Sequence, residues 1–178
     1  MTGLKRTVAL VGMMGAGKSS VGKRLALRLD VPFRDADVEI ERAAGCTIAD
    51  IFARFGEAEF RGGERRVILR LLSESPHVLA TGGGALMDPV TRERIAEQAV
   101  SVWLRATVDL LVARLARRDT RPLLMRGDPH ETITRLLAQR EPLYAQSDVI
   151  VDCENGPHTD TVERIVAALC EKRVLESA

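Results

Sequence analysis

The chain has 178 residues, of which 46% are hydrophobic and 29% charged, with a formal net charge of +1. That length suits one globular domain with a sizeable core, and the near-zero charge excludes a global field built for nucleic acid or an anionic membrane. No apolar run approaches the roughly 20 residues that a bilayer span requires.

Residues 1–6 lack the apolar core of a secretory leader, so a cytoplasmic protein without nucleic-acid or membrane partners is expected. Cys46, Cys153 and Cys170 form no CxxC pair and read as reduced packing residues. His77, His130 and His158 are scattered and read as loop or surface residues rather than ligands.

In chain order, Thr7–Val11 is an apolar run that ends at Gly12, the pattern of a buried parallel strand. Val21, Leu25 and Leu29 then recur every four residues and predict a helix. Phe33–Asp35 reads as a second strand end, followed by helical material through Ile40 and again at Ile48, Ile51 and Phe52. Val67, Ile68, Leu71 and Leu72 mark another helix face. Residues 77–81 form a strand that runs into Gly82, Gly83 and Gly84, and residues 100–104 form a further strand. Helices are predicted around Val108, Leu111, Val112 and Leu115, and around Ile133, Leu136 and Leu137. Residues 149–151 supply the last strand, and Val162, Ile165, Val166 and Leu169 the closing helix. This alternation argues for an α/β sandwich on a mostly parallel sheet. Residues 117–130 break the periodicity with charges, Pro122, Gly127 and Pro129, and read as an exposed lid.

Residues 12–19, GMMGAGKS, match GxxxxGK[ST] between a predicted strand and a predicted helix. Backbone N–H groups around Gly15, Ala16 and Gly17 can then wrap a phosphate at the positive end of the helix. Lys18 can reach the β- and γ-phosphates, and the Ser19 hydroxyl, followed by Ser20, can ligate Mg²⁺. No NKxD element for guanine is present, and the strand at 77–81 ends in glycines rather than acids, which points away from GTPases and motor ATPases toward a small-molecule kinase.

Asp35 and Asp37 stand two apart at a strand end, where extended backbone would turn both to one side. One could hold Mg²⁺ through water and the other accept a hydroxyl proton, or Asp37 could simply cap a helix starting near Val38. Gly82, Gly83 and Gly84 invite close approach of a ligand, or make a flexible turn. Arg61, Arg121 and Arg140 suit carboxylate or phosphate, and spacing does not choose between the two anions.

In this order, the P-loop, Asp35-Ala36-Asp37, Phe60-Arg61 with Glu64, Gly82-Gly83-Gly84, Arg121-Pro122-Leu123-Leu124 and Arg140-Glu141-Pro142-Leu143-Tyr144 resemble the shikimate kinase family over roughly residues 7–152. The resemblance implies a P-loop three-layer sandwich on a five-stranded parallel sheet, with one domain over 1–178, a substrate-binding region near 33–62 and a lid near 117–130. It implies transfer of the ATP γ-phosphoryl group to the 3-hydroxyl of shikimate, with Mg²⁺, in aromatic amino-acid biosynthesis. Asp37 would be the general base, Lys18 would neutralise transition-state charge, and Arg121 would come from the lid onto the phosphates. Arg61 and Arg140 would clamp the shikimate carboxylate, with Gly82, Gly83 and Gly84 lining the acceptor side and Phe52 and Phe60 as apolar walls. Ser19 would bind Mg²⁺ directly and Asp35 through water, while Arg114 would flank adenine. The resemblance leaves Gly62-Gly63 as a loosening of the helix that carries Arg61. A monomer is expected. Gluconate kinase is the nearest rival, and a nucleotide-binding regulator without catalysis is the rival from another class.

Overall fold

In the computed structural model, residues 3–117 and 127–175 are described. The strands are β1 (Thr7–Val11), β2 (Phe33–Asp35), β3 (Val78–Ala80), β4 (Ala99–Arg105) and β5 (Val149–Asp152). They form one parallel sheet in the order β2-β3-β1-β4-β5. β1 lies at the centre, with Val8 opposite Val78 of β3 on one side and Val100 of β4 on the other. Every residue of β1 is buried, although successive side chains point to opposite faces. Both faces of the sheet are therefore covered.

The covering helices are α1 (Lys18–Leu29), α2 (Ala36–Ala44), α3 (Ile48–Leu72), α4 (Pro89–Gln98), α5 (Val108–Ala116), α6 (Pro129–Tyr144) and α7 (His158–Glu171). α1 packs on α7 and on β3, α3 on α4, α4 on β4, and α5 on α6. The α1 connection carries the chain from β1 past β3 to β2, whereas the α4 connection carries it from β3 past β1 to β4. Neighbouring strands β1 and β3 thus send their chains in opposite directions. An open α/β sheet has its binding crevice at such a switch, beyond the carboxyl ends of the strands.

Three local differences from the sequence reading have physical causes. The two helix faces expected at 48–52 and 67–72 belong to one element, α3, bent at Gly56, where φ is 83° and ψ 175°. Arg61, Gly62 and Gly63 lie in the helical part after the bend. α4 was not foreseen, because only Thr91 and Ile95 of its ten residues are buried and no apolar stripe exists to read. Its signal is the start: the Asp88 side chain accepts from the Thr91 N–H, and Pro89 occupies the first turn. Pro142, expected to distort or end a helix, sits inside α6, which stops two residues later at Tyr144. Of the cysteines, Cys153 is buried and Cys46 half-buried, but Cys170 is exposed rather than a packing residue. His77 precedes β3 as expected of a loop residue, yet it is buried against Thr7 and the Ser75 carbonyl.

Candidate active site

The donor end grows from the turn after β1. Gly12 has φ 139°, and a Cβ there would sit 2.8 Å from the Leu104 carbonyl oxygen, so the loop can cross the end of β4 only without a side chain. The loop enters α1 through Gly17, with no side-chain cap and no acidic residue in the first turn. The leading N–H groups and positive end of α1 are thereby kept for an anion. Lys18 Nζ lies along the loop, donating to Gly12 O at 2.7 Å and Met13 O at 2.9 Å. Ser19 Oγ donates to Asp35 Oδ2 at 2.5 Å, which joins the P-loop to the end of β2. From α5, Arg114 donates to Ala16 O and to Glu154 O, both at 3.0 Å, and so bridges the P-loop and the loop after β5.

A cleft of about 400 Å³ opens here. Gly15, Gly17, Lys18, Ser19, Ser20, Asp35, Asp37, Gly82, Gly83 and Arg114 line it, and all were singled out from sequence. Ala16 contributes through the carbonyl that Arg114 holds. Thr81, Arg117, Asn155, Gly156 and His158 also line the cleft; Arg117 opens the segment read as a lid, and the other four were given no site role from sequence. His158 opens α7 and brings its ring to within 3.4 Å of where a Gly17 Cβ would be. Its place at a helix start beside a loop of Asn155 and Gly156 was the available signal.

Asp35 and Asp37 face the same cleft for a reason other than strand alternation. Asp35 ends β2 and caps α2, its Oδ1 accepting from the Asp37 N–H at 3.1 Å, while Asp37 is the second residue of α2. The capping role weighed for Asp37 belongs to Asp35.

The acceptor side is assembled around the three glycines that follow β3. A Cβ on Gly82 would lie 2.5 Å from Glu64 Oε1 and 3.4 Å from Asp37 Oδ1; on Gly84 it would lie 2.6 Å from the Arg61 guanidinium nitrogens. On Gly83 it would meet Arg140 Nη1 at 3.2 Å and the Met14 backbone nitrogen at 3.3 Å. The run is a close-packed strip rather than a flexible turn. It brings Asp37, Arg61, Glu64 and Arg140 together, although Arg61, Gly84 and Arg140 lie beside the 400 Å³ cleft and not in its wall.

Arg61 Nη1 donates to Glu64 Oε2 at 2.7 Å, Nη2 lies 3.5 Å from Glu57, and the guanidinium sits over the Phe60 ring. These contacts restrain Arg61 despite the following glycines. Burial drives the Glu64 carboxyl above its ordinary value against the pull of Arg61, and Asp37 adds to the rise. Glu64 Oε1 is buried with no hydrogen-bond partner among the described residues, a polar atom aimed at the strip. Arg140 is buried on α6, with Nη1 3.9 Å from Met13 Sδ. Phe52 and Phe60 stack at 4.7 Å, but neither lines the cleft; Phe60 faces an apolar groove of about 610 Å³ between α2 and α3. Arg121 and the rest of 118–126 lie outside the described residues. At the far end of the segment read as a lid, near 117–130, α6 begins at Pro129, capped by Asp128.

Comparison with known proteins bears on this arrangement. The shikimate kinase family model matches residues 14–170. A shikimate kinase from Paramagnetospirillum magneticum is 56% identical over 164 residues, 92% of this chain and 84% of that protein. A solved shikimate kinase from Acinetobacter baumannii, in complex with shikimate, superposes with a TM-score of 0.90 at 38% identity and covers 94% of each chain. A gluconokinase from Sinorhizobium meliloti reaches a TM-score of 0.63 at 22% identity over 94% of this chain and 93% of its own, a likeness of fold alone. With its P-loop, its Asp35–Asp37 turn and its arginine-flanked glycine strip, the chain belongs to the shikimate kinase family.

Proposed function

We propose that this chain transfers the γ-phosphoryl group of ATP to the 3-hydroxyl of shikimate, giving shikimate 3-phosphate and ADP. Family membership makes it an ATP-dependent phosphotransferase. The observation that carries the acceptor is the glycine strip, with the P-loop backbone and the buried Arg140 both packed against Gly83. A phosphate donor and an anionic alcohol are thereby brought side by side.

In the proposed mechanism, Arg61 and Arg140 grip the carboxylate of the acid, two guanidinium forks suited to one planar anion. Asp37, next to Gly82, accepts the proton of the acceptor hydroxyl. That oxygen bonds to the γ-phosphorus as the bond to the ADP oxygen breaks, roughly in line. Lys18 and the first N–H groups of α1 stabilise the charge that gathers on the phosphoryl oxygens. Arg114 and His158 border the space left for the nucleoside. The family resemblance gives Arg121 the task of closing onto the phosphates.

The oxygen donors here suit Mg²⁺: Ser19 would bind it directly and Asp35 through water. Among the described residues no cluster of three or more His, Cys, Asp or Glu side chains could hold a metal. In this reading the ion would be held mainly by phosphates and water, and when bound it would draw charge from the phosphates. The proposed working unit is a monomer. No helix among the described residues is long and apolar enough to cross a membrane.

A regulator without catalysis is disfavoured because Lys18, Ser19, Asp35 and Asp37 all line one cleft. A coupled ADP-release assay decides the acceptor. Turnover is expected with shikimate, not with gluconate, and it is lost on chelation of Mg²⁺; ADP release with gluconate alone would overturn the reading.

A further inference from the structure

We infer that Tyr144 is a positioning residue that ties the acceptor strip to the P-loop and so fixes the separation of the two substrates. The second half of that statement rests on the kinase reading; the tie itself does not.

Tyr144 is the last residue of α6 and is 1% exposed. Its hydroxyl donates to the Gly83 carbonyl, and the same oxygen lies 3.9 Å from Met13 Sδ in the P-loop. A buried tyrosine needs a partner for its O–H. Here the partner is the backbone of a cleft residue, in a loop that itself rests on the P-loop: a Gly83 Cβ would be 3.3 Å from the Met14 nitrogen and 3.6 Å from Gly12 O. The tyrosine ring leans on Trp103 of β4 at 5.8 Å, and the Trp103 ring reaches within 3.4 Å of a Gly12 Cβ. One side chain thus touches the strip and the P-loop with its polar end, and reaches the strand under the P-loop with its ring. The neighbouring Arg140 Nη1, 3.9 Å from the same sulfur, belongs to the same junction. Burial pushes the phenol up to about 12, so the hydroxyl remains a donor at every working pH.

In-line transfer is sensitive to distance; a shift of about 1 Å can cost about a hundred-fold in rate without loss of binding. Tyr144→Phe keeps the ring against Trp103 and removes only the tie. The expected result is a kcat about ten-fold lower, with KM for both substrates and affinity for ADP with Mg²⁺ unchanged within about two-fold. The deficit should be constant across neutral pH, because no proton leaves Tyr144. In the ligand-free protein, amide exchange should rise together in peptides spanning 8–20 and 78–88, and not in β5.

Turnover unchanged within about two-fold would overturn the inference, as would a loss matched by weaker binding, the mark of a merely structural residue. Exchange that rises only in α6 would overturn it as well. Met13→Leu, which keeps volume and removes the sulfur, carries the test if Tyr144→Phe does not fold: faster exchange in the strip supports the tie, and unchanged exchange overturns it. Wild-type protein that leaves shikimate unphosphorylated defeats the kinase reading, while the exchange measurement still decides the tie.

Discussion

The two ends of the cleft are built by different means. The donor end is one contiguous stretch, residues 12–19, whose working parts are backbone N–H groups, one lysine and one hydroxyl. The acceptor end takes Asp37 from α2, Arg61 and Glu64 from α3, the glycine strip after β3, and Arg140 from α6. Its charges hold one another: Arg61 is fixed by Glu64, Glu57 and Phe60 before any ligand is considered. A backbone site depends on φ and ψ and survives loss of most neighbouring side chains. A side-chain site fails piece by piece, and each failure touches mainly one ligand.

The largest expected effect tests the donor end. Lys18→Ala should lower kcat by ~10³-fold or more while circular dichroism shows an unchanged fold, because one charge stabilising the transition state is removed from a backbone that stays in place. A loss below ~10-fold would mean that the N–H groups of α1 carry the charge unaided. The contrast with the acceptor end would then be deeper than drawn. Next in size, Arg140→Lys replaces a fork by a point charge. Shikimate affinity measured by calorimetry should fall ~10–100-fold with ADP affinity unchanged. Equal loss of both ligands would break the division of the cleft into two independently built ends.

Glu64 sharpens the comparison through pH. Its folded-state carboxyl sits above the ordinary 4.5, chiefly because it is buried, so the folded chain holds that proton more tightly than the unfolded chain. The stability it contributes is fully present below pH 4.5 and is lost as pH rises through the elevated value. Glu64→Gln has no proton to lose. Whatever the offset from the lost Arg61 pair, urea midpoints should shift in favour of the variant as pH climbs from 4.5. A difference that stays flat with pH would show that Arg61 compensates Glu64 fully.

The same contrast explains what the sequence made legible. Residues 12–19 could be read directly because a phosphate cradle requires glycine and lysine at fixed local spacing. The sheet was readable too, since β1 and β4 are mostly apolar and buried along nearly all their length, as strands covered on both faces are. The acceptor arginines gained a role only through the family resemblance: Arg61 and Arg140 look like any other arginine until α3 and α6 pack beside the strip. Glu64 stood in the motif without a role, because its burial and its unpaired oxygen exist only in the folded chain. The Asp35–Asp37 pair was found for an incorrect reason. The two share the cleft because a strand turns into a helix between them, not because a strand alternates.

Asp88, away from both ends, gives the smallest expected effect and the opposite pH sign. It caps α4, accepting from Thr91 N at 3.1 Å and Thr91 Oγ1 at 2.7 Å, and it also receives Arg65 of α3 at 2.8 and 2.9 Å. Burial works against its charge, but the hydrogen bonds from Thr91 and Arg65 outweigh burial and hold the carboxyl below 3.8. Arg65 is half-exposed, so the ion pair contributes little and the cap carries the effect. Asp88→Ala should therefore cost about 1 kcal/mol of stability at neutral pH and leave kcat and both KM values as they were. That cost should shrink as acid protonates the wild-type carboxylate below 3.8, whereas the Glu64 contribution is restored by acid. Any change in KM on Asp88→Ala would mean that the strip, one turn upstream at Gly82–Gly84, is held from α4 as well as from α3 and α6.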